Sequence, residues 1–232
     1  MIPSIIIFAA LFTAAFFVAL PFYLRAESNV GKGPHEFKKA ALLKITVSGI
    51  CALCALLGFI IWGAEIECVR IFIPIALICS VVGDYFLQYI ALDEKKFKVG
   101  ILFFALTQVF LIVFLCLHHG VSWPEFAITA VFVGSIIALV TKQKWELGEA
   151  KIPLYVYVAL LVFMASKAVL PLFGLTGISI PLILMAAGAL LFVLSDTLLG
   201  FKYFSGGKES TSKLYLITYF FAILCIALSS LF

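Results

Sequence analysis

Residues 99–118 read VGILFFALTQVFLIVFLCLH, without one aspartate, glutamate, lysine or arginine. Twenty residues of helix, at about 1.5 Å per residue, cover the roughly 30 Å of bilayer hydrocarbon. Seven further apolar stretches of similar length flank this one, at about 2–24, 40–62, 69–91, 125–141, 152–172, 178–200 and 213–232. Their continuous hydrophobicity excludes the alternating pattern of a membrane β-barrel, and backbone groups in lipid must be satisfied within the segment, which a helix does. The composition agrees: 65% of the 232 residues are apolar and 12% charged, against about 25% charged in a soluble domain. The sequence therefore predicts an all-α, polytopic membrane bundle of about eight transmembrane helices, forming one domain over residues 1–232. The first run has no basic leader, and its apolar core is longer than that of a signal peptide, so it reads as a retained span.

Basic residues set the expected orientation. Arg25, Lys32, Lys38 and Lys39 follow span 1; Lys95, Lys96 and Lys98 follow span 3; Lys142, Lys144 and Lys151 follow span 5; Lys202, Lys208 and Lys213 follow span 7. The opposite loops hold only Arg70. Basic loops stay cytoplasmic, which places both termini on the non-cytoplasmic side. The net charge of +4 is then a topology signal and a contact for anionic lipid, with no nucleic-acid partner implied. The loop Ser205–Ser212 reads as flexible. It lacks the Gly-Lys-Ser/Thr order of a phosphate loop. Cys51 and Cys54 form a lone C-x-x-C within a span, where thiols act as small hydrophobes. Trp62, Trp123 and Trp145 suit interfacial anchoring, as do His118 and His119.

Four ionisable residues fall inside spans: Lys44, Asp84, Lys167 and Asp196. Charge in lipid is costly, so such groups turn to the bundle interior or snorkel to an interface. Lys167, near the outer end of span 6, suits snorkelling; Lys44 suits either. Asp84 lies roughly 12 Å from the nearer end of its span, too deep for so short a side chain to escape. Ser80 and Gln88 share its helix face at i−4 and i+4. Counted by depth, Lys44, Asp84, Gln108, Tyr157, Asp196 and Tyr219 occupy one band near the basic end, on six different helices. Two carboxyls in one low-dielectric chamber would not both ionise, giving an acid and a base from one residue type.

The residues around the aspartates resemble a known family. Cys79-Ser-Val-Val-Gly-Asp84-Tyr-Phe-Leu, Gly100-Ile-Leu-Phe-Phe-Ala-Leu-Thr-Gln108, Gly188-Ala-Leu-Leu-Phe-Val-Leu-Ser-Asp196-Thr-Leu-Leu and Tyr219-Phe-Phe-Ala222 are similar to motifs of the YhhN family of lysoplasmalogenases, and Lys44 matches its lysine near the start of span 2. The likeness runs from span 2 to the C-terminus. Ile45 stands where the family usually has proline, Gln108 where histidine is common, and Ile223 where a polar residue is usual.

The resemblance implies hydrolysis of the vinyl-ether bond of lysoplasmalogens to a fatty aldehyde and a glycerophospho-head-group. It implies Asp84 and Asp196 as catalytic acid and base, and Lys44, Ser80, Gln108, Tyr157 and Tyr219 as substrate-binding residues. The expected partners are a lysophospholipid and membrane lipid, and the chemistry requires no metal or cofactor. Two rival classes remain: a proton-coupled transporter using the carboxylates as relays, and a family relative that kept the fold and lost activity. An intramembrane aspartyl protease is disfavoured, since Val82-Gly83-Asp84 lacks the first glycine of a Gly-x-Gly-Asp motif.

Overall fold

The structure, a computed structural model, describes residues 2–63, 67–89, 92–145, 147–174, 178–204 and 209–232. Among these there are eight α-helices and no strand: α1 (Ile2–Glu27), α2 (Pro34–Trp62), α3 (Phe72–Leu87), α4 (Glu94–His119), α5 (Trp123–Gln143), α6 (Lys151–Val169), α7 (Ile180–Phe204) and α8 (Glu209–Ser229). Short 3-10 turns lead into α3 and α6 and follow α6. Seven helical segments are long and apolar enough to cross a membrane, which makes this an integral multi-pass protein. The apolar part of α8, Lys213–Ser229, is shorter. It covers roughly 25 Å at the usual helical rise.

Local signals fix several helix starts. Pro34 opens α2 after Gly33, whose φ of +147° suits glycine. Asp93 caps α4 by accepting from the Lys95 and Lys96 amides. Ser122 and Glu125 cap α5, the Glu125 carboxylate accepting from both the Ser122 amide and hydroxyl. Glu209–Ser212 is already helical, so the second half of the expected flexible loop is the first turn of α8; its first half, 205–208, lies outside the described residues.

Six helices form a closed ring in which α2 packs on α3, α3 on α4, α4 on α6, α6 on α7, α7 on α8, and α8 back on α2. The flanking helices are α1, set chiefly against α2, and α5, set chiefly against α6. Without a hydrophobic force between helices in lipid, close packing must hold the ring together. Gly188 brings α7 onto α8: a Cβ there would lie 2.7 Å from Ile226 and 2.9 Å from the Ala222 carbonyl. Gly83 likewise lets the Phe104 ring of α4 press on α3, 2.9 Å from where a Cβ would stand. The buried faces of these helices supply one continuous core, with Phe104, Phe192 and Tyr219 meeting edge to face. Many outward residues are large and apolar, including Ile7, Leu11 and Phe22 on α1, as lipid contact demands. Ile5 and Leu231 share a small core cluster, so the two ends of the chain lie at the same end of the bundle.

Lys167 departs from the snorkelling expectation. It is fully enclosed. Its ammonium donates to Glu125 Oε1 at 2.9 Å and to the Gly120 carbonyl, tying the start of α5 to α6. A partner three residues into the neighbouring helix satisfies the charge without reaching water. Nearby, His118 pairs with Glu67 at 2.9 Å and lies edge-on to Phe114. Trp145 also differs from a simple interfacial anchor. Its ring packs against Phe201 and Phe204 of α7.

Candidate functional site

The ring places one polar residue of the expected set on each of its six helices: Lys44 on α2, Asp84 on α3, Gln108 on α4, Tyr157 on α6, Asp196 on α7 and Tyr219 on α8. Asp84 is fully buried. The Tyr219 hydroxyl donates to its Oδ2 at 2.7 Å. The Lys44 ammonium faces Oδ1 at 3.4 Å, outside hydrogen-bond alignment, so Oδ1 has an ionic partner but no hydrogen bond among the described residues. The Ser48 hydroxyl, one turn further along α2, is committed to the Lys44 carbonyl at 3.1 Å. Asp196, on the opposite wall, accepts a hydrogen bond from the Tyr157 hydroxyl.

Both aspartates line one cavity of about 340 Å³, within the range of small-molecule sites. Lys44, Tyr157, Tyr219 and Ser195 also reach it; the remaining wall is mostly apolar, including Phe97, Ile101, Leu161 and Phe204. Ser195 is locked by its bond to the Tyr215 carbonyl at 2.9 Å. The outer wall comes from α5, through Phe132, Ser135, Ile136, Leu139 and Val140, and from Trp145 beyond it. The cavity lies toward the end bearing the basic loops, as the involvement of Trp145, Leu147 and Phe204 shows.

Two residues of the expected set stand behind the wall. Ser80 is buried, donates to the Leu77 carbonyl at 2.8 Å and sits beside the Tyr219 hydroxyl. Gln108 is buried beside the Tyr157 hydroxyl. Neither end of its amide meets hydrogen-bond geometry among the described residues. Leaving buried amide atoms unpaired costs about 1–3 kcal/mol, a cost that sites tolerate more readily than cores. Gln88 caps α3 with its backbone still helical, its backbone amide bonded to the Asp84 carbonyl at 3.3 Å, so it stays one turn from Asp84 as expected. Its side-chain amide donates to Glu27 of α1 at 3.1 Å.

Glu27 and Trp145 stand beside the site without a signal in the sequence. α1 continues to Glu27, past the apolar run that marks its span, so a residue that reads as loop charge comes to stand beside α3. Trp145 reads as an anchor because only the fold brings α7 under its ring.

An all-helical bundle enclosing two aspartates from non-adjacent helices, each held by a tyrosine, defines a membrane protein with an acid-lined interior chamber. The YhhN family matches residues 39–230, and the chain belongs to that family. No curated protein and no solved structure matches it.

Proposed function

We propose that the protein hydrolyses the vinyl-ether bond of lysoplasmalogens, releasing a fatty aldehyde and a glycerophospho-head-group. The observation that carries this reading is the pair of tyrosine-held carboxyls facing one largely apolar cavity. A single hydrocarbon chain suits the apolar wall, and the reacting bond would lie where that wall gives way to Lys44, Asp84 and Asp196. Membership of the YhhN family is consistent with a hydrolase.

Vinyl ethers hydrolyse by protonation at the carbon β to oxygen. Asp196, which has no ion-pair partner among the described residues, is the acid and gives its proton to that carbon. The alkene electron pair forms the new C–H bond, and the ether oxygen shares the resulting positive charge as an oxocarbenium ion. Asp84, fixed by Lys44 and Tyr219, supplies negative charge to this cation. Water adds to the cationic carbon and yields its proton to the now anionic Asp196. The hemiacetal then collapses to aldehyde and alcohol. The net reaction consumes one water and restores both carboxyls. Lys44 holds the phosphate end, while Gln108 and Ser80 keep Tyr157 and Tyr219 in place. With the basic loops cytoplasmic, the chamber opens near the inner leaflet.

Purified protein given 1-alkenyl lysophospholipid should release aldehyde, and Asp84→Asn and Asp196→Asn should each abolish release while remaining folded. Unchanged release in either variant would refute the two-carboxyl mechanism. Folded wild type that releases nothing would leave an inactive relative or a proton-coupled carrier.

A further inference from the structure

Beside the main cavity lies a second, smaller cleft of about 20 Å³, lined by Glu27, Lys44, Gln88, Tyr203 and Tyr215 together with Leu87 and Leu199. Lys44, Leu87, Leu199 and Tyr215 line both spaces, so the two share a wall. Glu27 is the unusual member. Its Oε2 accepts from Gln88 Nε2 at 3.1 Å and from the Tyr23 hydroxyl at 3.4 Å. Among the described residues it has no ion-pair partner. The basic residues nearby are otherwise engaged. Lys44 faces Asp84; the Lys202 ammonium lies 4.9 Å and 5.0 Å from the ring centres of Tyr203 and Tyr215. A half-buried carboxylate thus stands without a cation, against two tyrosine rings that already attract an ammonium.

We propose that this cleft receives the terminal amine of a lipid head group, and that Glu27 makes the protein select a primary ammonium over a quaternary one. The proposal rests on the hydrolase reading for its turnover arm. Order along the shared wall matches such a ligand: chain in the large cavity, phosphate at Lys44, ammonium at Glu27. Size gives the selectivity. A space of about 20 Å³ holds one water-sized group, since a single water needs roughly 10–15 Å³. An –NH3+ fits and can donate to Glu27, whereas three methyl groups on nitrogen overfill the cleft and leave nothing to donate. Glu27 precedes the family-matched segment, which begins at residue 39, while the other residues lining the cleft lie within it.

The test compares 1-alkenyl lysolipids carrying phosphoethanolamine or phosphocholine. Wild type should favour ethanolamine by roughly tenfold in kcat/KM, the scale of one hydrogen bond to a charged group. Glu27→Gln, which keeps the acceptor for Tyr23 and Gln88, should level the two substrates through KM with kcat unchanged. A parallel binding arm uses uncleavable 1-acyl lysophosphatidylethanolamine and lysophosphatidylcholine, read by Trp145 fluorescence with Trp62 and Trp123 replaced by phenylalanine. Binding that discriminates without any turnover would uphold the cleft and defeat the hydrolase reading. Equal treatment of the two head groups by wild type, or a preference that survives Glu27→Gln, would overturn the proposal and mark the cleft as a water pocket only.

Discussion

Among the described residues the bundle buries two lysine–carboxylate pairs, and they are finished differently. At the end near the chain termini, Lys167 donates to Glu125 and Gly120, and Glu125 also takes both bonds of the α5 cap. Nearly every polar valence there is used. At the other end, Lys44 faces Asp84 at 3.4 Å without a hydrogen bond to Oδ1, and the pair borders a cavity. A buried pair with its bonds complete acts as a clamp. One left incomplete beside empty space is poised to act on something else.

Substitutions can break that contrast. The largest effect should come from Asp84→Asn, with aldehyde release falling about 10²–10³-fold, the usual weight of a preorganised charge-stabilising group, and with thermal unfolding in detergent shifted down because Lys44 stays buried without its partner. Next, Lys167→Met strands a buried carboxylate and should cost about 3–5 kcal/mol of stability. The specific activity of the surviving folded protein should match wild type. Adding Glu125→Leu should return much of that loss, because a buried pair replaced by apolar side chains is often neutral; failure to recover would mean that the α5 cap, not the ion pair, carries the cost. Tyr219→Phe removes one bond to Asp84 and should lower kcat by roughly tenfold, as loss of about 1.4 kcal/mol of positioning predicts. The smallest change should be Trp145→Ala. Loosening the wall between α5 and α7 should raise KM by about threefold with kcat preserved.

Much of this architecture is legible in the sequence. Apolar runs placed all eight helices with ends within about six residues, because membrane spans must satisfy their own backbone and carry their own hydrophobicity. Depth counting also grouped the five polar residues that line the chamber, Lys44, Asp84, Tyr157, Asp196 and Tyr219, since distance along a helix converts directly to depth. Azimuth is the quantity a linear sequence withholds. Thus Lys167 looked free to reach an interface, although Glu125 sat at matching depth on the preceding span. Ser80 and Gln108 shared the right band but stand behind tyrosines. Glu27 lay just past the apolar run of α1, where hydropathy says loop and the helix continues.

Glu125 has a consequence for biosynthesis. The same carboxylate starts α5 and neutralises the lysine of α6, so neither segment is complete alone. A lone lysine adds up to about 2.5–3.5 kcal/mol to insertion on the translocon scale, and less toward a span end, where Lys167 lies. Released into lipid as a hairpin, α5 and α6 cancel that penalty within themselves. Pairing within the nascent hairpin would therefore precede its docking onto earlier spans, and the clamp would be set before the chamber closes.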